Sequence, residues 1–443
     1  MTNPASASVP LDRRKVWSWA LYDWANSAFA TTVMVAFFPV FYKSYLRGGV
    51  EDAVSSKELL IAISISGILI ALSAPFLGAI ADRGGAKKRL LAVFASLGVL
   101  TTALLGFSSP AFGLVALVVF VLANIGFSGA NIFYDSLLPA VAPDEKSDSV
   151  SAFGFALGYL GGGVLFAVNV VMLSMHEKLG IEQETATKLS FLSVAAWWAL
   201  FSIPLFKGVP EPEVSGGKVP MRDAARAGWL QLKQTLAHIM RVKNVFLFLI
   251  AYLLYIDGVN TVMKTATTIG TSIGIGAPDM MKAILMIQFI GFPAAIAFGY
   301  LGEKIGTRKG ILIAIGVYGL IVIGASQLRE NWHFYALAAG VGLVQGGVQS
   351  LSRSYFSRII PAGKAGEFFG FYNMLGKFAT VFGPILISLG LVIAGRAGLE
   401  GPDATRAAMP SLLILFVAGG VLLWKVRDPD AKPSPAEDGE AVA

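Results

Sequence analysis

Five apolar stretches of this chain each carry a polar stripe at helical spacing. Tyr22 and Asn26 stand four residues apart with Asp23 beside them, and Asp257, Asn260 and Lys264 follow at i, i+3 and i+7. Asn124, Asn131 and Asp135 fall at i, i+7 and i+11, Gln345, Gln349 and Arg353 at i, i+4 and i+8, and Asn373 and Lys377 at i and i+4. An ionisable group inside hydrocarbon costs at least a few kcal/mol unless it faces a cavity or a partner. The stripes therefore predict a buried polar path for a substrate or a proton: Asp23, Asn26, Asn131, Asp135, Asp257, Asn260, Lys264, Gln345, Gln349, Arg353, Asn373 and Lys377. Carboxylates there suit an ammonium group or a proton, Lys and Arg suit an anion, and amides suit neutral polar groups. Plainer readings stand beside this one. Asp135 and Arg353 can pair with each other, Lys264 can pair with Asp257, and Asn and Gln can simply hold helices together.

Nothing in the chain makes a catalytic set. There is no Gly-x-Ser-x-Gly elbow, His-Glu-x-x-His or ATP-holding Gly-x-x-x-x-Gly-Lys-Ser/Thr loop. With no cysteine and only His176, His238 and His333, all between apolar runs, no metal site or cofactor is expected. With no histidine in a span, a proton-coupled cycle would rely on Asp23, Asp135 or Asp257, and Asp257 lies nearest the middle of its span.

The elements that position these residues follow from composition. Of 443 residues, 55% are hydrophobic and 14% charged, against roughly 25% charged in soluble proteins. The mean hydropathy of +0.67 excludes a soluble globule, a disordered chain and a disulfide-built secreted domain. Twelve stretches are long enough to cross a bilayer as helices, which takes about 20 residues each. They are expected at about 18–42, 59–80, 89–108, 111–137, 150–175, 189–206, 244–271, 280–302, 310–328, 332–358, 365–392 and 409–425. They lack the period-2 alternation of barrel strands. The net charge of +7 lies in short clusters between spans, which argues against a nucleic-acid partner. Placing both termini in the cytoplasm puts Lys and Arg inside over outside at about three to one.

The expected layout is a cytoplasmic tail (1–17), a six-helix bundle (18–207), a linker with an amphipathic helix on the inner leaflet (208–243), a second six-helix bundle (244–426) and a disordered cytoplasmic tail (427–443). The two halves share spelling. Gly78, Asp82, Arg83, Gly85 and the basic pair Lys87-Lys88 match Gly299, Glu303, Lys304, Gly306 and the pair Arg308-Lys309 at identical spacing. Asp23-x-x-Asn26 matches Asp257-x-x-Asn260, and Phe153-Gly-Phe155 matches Phe369-Gly-Phe371. Parallel repeats around a central path are an arrangement of secondary transporters. The repeated loops read as conformational switches, with Asp82 expected at the start of span 11 and Glu303 at the start of span 5, where helix N-termini favour acids.

The Gly78–Arg89 loop resembles the signature loop of the major facilitator superfamily. Tyr22-Asp-Trp-Ala-Asn-Ser-Ala-Phe29, Tyr134-Asp-Ser-Leu-Leu-Pro139, Phe153-Gly-Phe-Ala-Leu-Gly-Tyr159, Gln349-Ser-Leu-Ser-Arg-Ser-Tyr355 and Glu367-Phe-Phe-Gly-Phe-Tyr372 are similar to a bacterial branch related to the fungal autophagy-linked vacuolar effluxer. The resemblance implies an all-α major facilitator fold in a bacterial inner membrane, a monomer among membrane lipids, and alternating-access transport of a small polar solute. Amino acids are the substrate class it suggests, with efflux as the direction. Proton-driven efflux of toxic compounds is the alternative within transport. A receptor or lipid scramblase of the same fold is the alternative outside it.

Overall fold

The computed structural model describes residues 11–214 and 242–427. The predicted amphipathic helix from Met221 and the two far tails lie outside the described residues. Among the described residues, twelve long helical segments follow one another: α1 Arg13–Leu46, α2 Asp52–Gly84, α3 Lys87–Leu105, α4 Pro110–Ser136, α5 Ser147–Ser174, α6 Gln183–Gly208, α7 Lys243–Ser272, α8 Ala277–Ile305, α9 Thr307–Ala325, α10 Asn331–Ile359, α11 Ala365–Arg396 and α12 Gly401–Lys425. Eleven are long and apolar enough to cross a membrane. The exception, α10, spans 29 residues but carries Gln345, Gln349, Ser350, Ser352, Arg353 and Ser354 on its last turns. A helix this polar avoids lipid only by being enclosed, and those serines and Arg353 are buried.

Two helices depart from regular geometry where they border the molecule's centre. Helix α1 widens into a π-helix across Phe29–Phe37, as helices often do at functional positions. Helix α11 breaks into Ala365–Phe378 and Phe382–Arg396. Pro384 explains the break: it cannot donate a hydrogen bond, and it is tolerated only in the first turn of the new segment.

Each half has its own apolar core. Phe38, Phe120, Phe191 and Trp198 anchor α1–α6, whereas Phe248, Tyr318, Phe356 and Phe416 anchor α7–α12. Aliphatic side chains such as Leu60, Leu72 and Leu320 point outward and stay exposed, as a lipid-facing wall requires. The halves meet where α2 lies on α11 and α5 lies on α8. Backbones touch there: Gly78 sits on the Gly366 carbonyl, and a Cβ at Gly370 would stand 2.5 Å from the Ala74 carbonyl oxygen. The basic loops all fall at one end, called here the basic end.

Candidate functional site

Helices α1, α4, α5 and α10 converge on one cluster of polar side chains. Asp23 lies ten residues into α1, about 15 Å from its start at 1.5 Å per residue. The Trp19 indole N–H donates to the Tyr134 carbonyl at 3.1 Å, and its ring stacks on the Tyr134 ring at 4.5 Å. That contact aims the Tyr134 hydroxyl at Asp23, to which it donates at 2.7 Å. Gly154 of α5 leaves the necessary room, because a Cβ there would come 2.9 Å from both the Asp23 carboxylate and the Trp19 ring.

Arg353 of α10 enters this corner from the other half. Its Nη1 lies 3.1 Å from Asp135 Oδ1 and 3.4 Å from Asp23 Oδ2. Its Nε donates to Ser151 Oγ at 2.9 Å and its Nη2 to the Ser151 carbonyl at 2.8 Å. The rings of Phe155 and Trp19 cover the guanidinium at 4.3 and 4.8 Å. Asn373 of α11 donates to the second oxygen of Asp135 at 3.1 Å. A charge this buried holds only when well hydrogen-bonded, and every guanidinium nitrogen of Arg353 has a partner. Two carboxylates face one guanidinium.

Beside it lies a cavity of about 470 Å³ shared by both halves. It brings together Asp23, Asn26, Asn131, Asp135, Gln345, Gln349, Arg353 and Asn373 from the predicted path, with Tyr134, Tyr159, Tyr252 and Tyr372 among its walls. Asn26 donates to Asn131 across α1 and α4 at 2.6 Å. The Oε1 atom of Gln345 is buried and meets no donor among the described residues.

Four predicted path residues stand elsewhere. Asp257 does not face the cavity. Its carboxylate accepts from the backbone N–H groups of Val381, Phe382 and Gly383 at 3.1, 2.7 and 3.0 Å and from Thr261 Oγ1 at 3.1 Å. Asn260 donates to the Ala379 carbonyl at 2.9 Å. Together they satisfy the backbone groups that the break in α11 frees, which is a capping role. Lys264 and Lys377 are exposed, outside the lining of this cavity. The pairing of Lys264 with Asp257 is absent, because the helix terminus has taken the carboxylate.

The basic end is closed. Asp82 accepts from the N–H groups of Gly366 and Glu367, which open α11, at 2.9 and 2.8 Å, and pairs with Lys87 at 2.8 Å. That is the predicted helix-end contact. Glu303 departs from its expected twin role: it pairs with the side chain of Lys146, just before α5, at 3.0 Å. Its place is taken by Asp148 in the first turn of α5, which accepts from Thr307 at 2.6 Å and pairs with Ser354 and with Arg358 at 3.2 Å. Gly85 and Gly306 take positive φ values of 55° and 93°, which lets each chain turn into the next helix. Arg83 is half-buried and Lys304 exposed, and neither joins an ion pair among the described residues. Towards the opposite end, no hydrogen bond joins α1 to α7 among the described residues. The cavity thus has a floor at the basic end, and on its wall Gln288 of α8 donates to Thr31 of α1 at 2.9 Å, a buried bond between the halves.

The model of the family described as "Vacuole effluxer Atg22 like" matches residues 142–434, and that of the major facilitator superfamily matches residues 3–166. The chain belongs to the Atg22-like branch of the major facilitator superfamily. An uncharacterised transporter of this type from Bacillus subtilis (strain 168), YxiO, is 39% identical over 92% of this chain and 93% of its own. Autophagy-related protein 22 of Coccidioides immitis (strain RS) is 24% identical over 96% of this chain and 88% of its own. The crystal structure of the human organic anion transporter MFSD10 shares the fold at a TM-score of 0.65 and 16% identity, covering 94% of this chain and all of that one. This Atg22-like chain is a multi-pass membrane transporter of small molecules, not an enzyme.

Several of its working residues escaped the sequence reading. Ser151 and Trp19 look like ordinary helix residues, and only tertiary packing sets them against Arg353. Asp148 carried a readable signal, an acid in the first turn of a span. Glu211 carried none: its carboxylate accepts from the Lys87 and Lys88 N–H groups at 2.6 and 3.0 Å and caps α3.

Proposed function

We propose that this Atg22-like transporter exports a small solute bearing a positively charged group, with amino acids as the leading class. The observation that carries the reading is the Asp23–Arg353–Asp135 cluster, which sets two carboxylates against one guanidinium beside a cavity lined by amides and, with both ionised, has one negative charge in excess. A substrate ammonium group neutralises that charge. Arg353 already has its bonds, so a substrate carboxylate faces the amides.

The same charge suits proton coupling. A proton on the carboxylate pair removes the charge that holds the ammonium, so proton and substrate compete and an inward proton gradient drives export. Opening the basic end separates α10 from α1 and α4, which breaks the bonds from Arg353. The cluster then acts as the inner gate as well as the binding site, and alternating access between the halves follows. The basic end is the cytoplasmic one by its Lys and Arg content.

A second reading has one observation in its favour. An apolar pocket of about 210 Å³, walled by Met263, Met280, Met281, Ile284 and Ile287, adjoins the polar cavity and shares Met263, Ile284 and Ile287 with it. That wall suits an apolar body, as in a cationic toxic compound. Counterflow in proteoliposomes with labelled amino acids, their uncharged N-acetyl amides and lipophilic cations separates the two. Exchange of amino acids, lost in the N-acetyl amides and weakening as pH falls, supports the proposal. Exchange of lipophilic cations alone supports the second reading.

A further inference from the structure

On the outer wall of the second half, α9 and α12 leave a groove of about 420 Å³, bounded by Leu312, Gly316 and Gly319 on one side and by Val417, Gly420 and Trp424 on the other. Its glycines differ from those at the helix contacts described above. A Cβ at Gly316 would meet nothing within 4 Å, and at Gly319 only Leu413 at 3.6 Å. These positions do not serve helix packing; they leave space. The groove runs from Leu413 to Trp424, eleven residues or about 16 Å. That is about half of a hydrocarbon core ~30 Å thick, the depth of one leaflet.

Positive charge gathers at the basic end of the groove. The Arg308 guanidinium lies 5.7 Å from the Trp424 ring and donates to the carbonyls of Trp424 and Val426 at 3.2 and 2.8 Å. Lys309 is exposed, at i+3 to Leu312 and i+7 to Gly316 on α9. Lys425 is exposed one turn beyond Val421 on α12. No carboxylate lines the groove among the described residues.

We propose that this groove is a binding site for an anionic phospholipid, with one acyl chain between α9 and α12 and the phosphate between Lys309 and Lys425. The charge selects the occupant. A zwitterionic lipid brings no net negative charge to these cations, and a second copy of the chain would bring the same basic end against them. Length selects it too, since the groove is about as long as one leaflet is deep.

The test is native mass spectrometry and thermal unfolding of the full chain, titrated with dioleoylphosphatidylglycerol, dioleoylphosphatidylcholine or millimolar inorganic phosphate. Two double variants accompany the unmodified protein: Lys309→Gln with Lys425→Gln, and Gly316→Leu with Gly319→Leu. Arg308 is left in place because it holds the end of α12. The unmodified protein is expected to retain phosphatidylglycerol over phosphatidylcholine at least tenfold. The lysine pair loses about fivefold of that preference per residue removed. The leucine pair loses retention while keeping its unfolding temperature in phosphatidylcholine, because leucine is the better helix former. Equal retention of the two lipids, or full preference in both variants, overturns the proposal. A shift by inorganic phosphate equal to that by phosphatidylglycerol also overturns it, assigning the cations to a free anion.

Discussion

Asp23-x-x-Asn26 in α1 and Asp257-x-x-Asn260 in α7 are spelled alike and occupy matching places in the two halves, yet they have parted in role. Asp23 holds a tyrosine hydroxyl and shares a guanidinium with Asp135, and it borders the cavity. Asp257 holds three backbone N–H groups and a threonine hydroxyl and borders no solvent. The cause lies on the partner helix of each. Helix α11 breaks before Pro384 and frees donors that draw the Asp257 carboxylate in. The matching helix of the first half, α5, is continuous from Ser147 to Ser174 and needs no such cap. A helix terminus offers a carboxylate a satisfied site with no charge to exchange, whereas Arg353 offers one that a substrate or proton can perturb. The halves share the fold, and of these two carboxylates only Asp23 borders the cavity.

The largest effect is expected at the arginine. Arg353→Gln leaves Asp23 and Asp135 facing each other unneutralised, which typically costs about 3–5 kcal/mol for a broken buried pair. Transport in proteoliposomes should fall below detection and the unfolding temperature should drop. Retained transport would mean that the cluster is not part of the path. Asp257→Ala comes next. It orphans the N–H donors at the break in α11, for a loss of about 1–3 kcal/mol. Thermal unfolding should register it, while the KM of the surviving transport stays at its original value. A raised KM with unchanged stability would return Asp257 to the substrate path.

A smaller effect distinguishes the repeated loops. Asp82→Ala removes a cap on α11, an interaction of about 0.5–2 kcal/mol, and should shift the population towards the state open at the basic end. Glu303→Ala removes a pair whose lysine side chain is 51% exposed, a contact of at most about 1 kcal/mol. The chain contains no cysteine, so single thiols introduced at the cavity floor report accessibility from the basic end without background. Equal shifts in the two variants would restore the symmetry that the contacts deny. An effect of similar size is expected at Asn373→Ala, which removes one hydrogen bond to Asp135 and should weaken substrate affinity by about 0.5–1.5 kcal/mol, or two- to tenfold.

Much of this architecture was legible in the chain itself. Apolar runs marked the spans, and the polar stripes of α1, α4, α10 and α11 led to Asp23, Asn131, Asp135, Arg353 and Asn373, because a bilayer tolerates such residues only where they face each other or a cavity. Helical spacing records which face a residue takes. It does not record what stands opposite. Hence Asp257 read as a path residue although Gly383-Pro384 in a span was already the mark of a broken helix with donors to satisfy. Hence, too, Glu303 read as a twin of Asp82, whereas Asp148 from the neighbouring helix had taken the contact.

The central claim is that the Asp23 carboxylate works on the substrate and the Asp257 carboxylate works on the fold. Its most direct test places Asp23→Asn and Asp257→Asn side by side, with counterflow of a labelled amino-acid panel and thermal unfolding measured on the same preparations. The account predicts that Asp23→Asn lowers exchange at least about tenfold, the worth of roughly 1.4 kcal/mol, with little change in unfolding temperature. Asp257→Asn should lower the unfolding temperature and leave exchange, its KM and its pH dependence intact. Exchange abolished by Asp257→Asn and untouched by Asp23→Asn would contradict it.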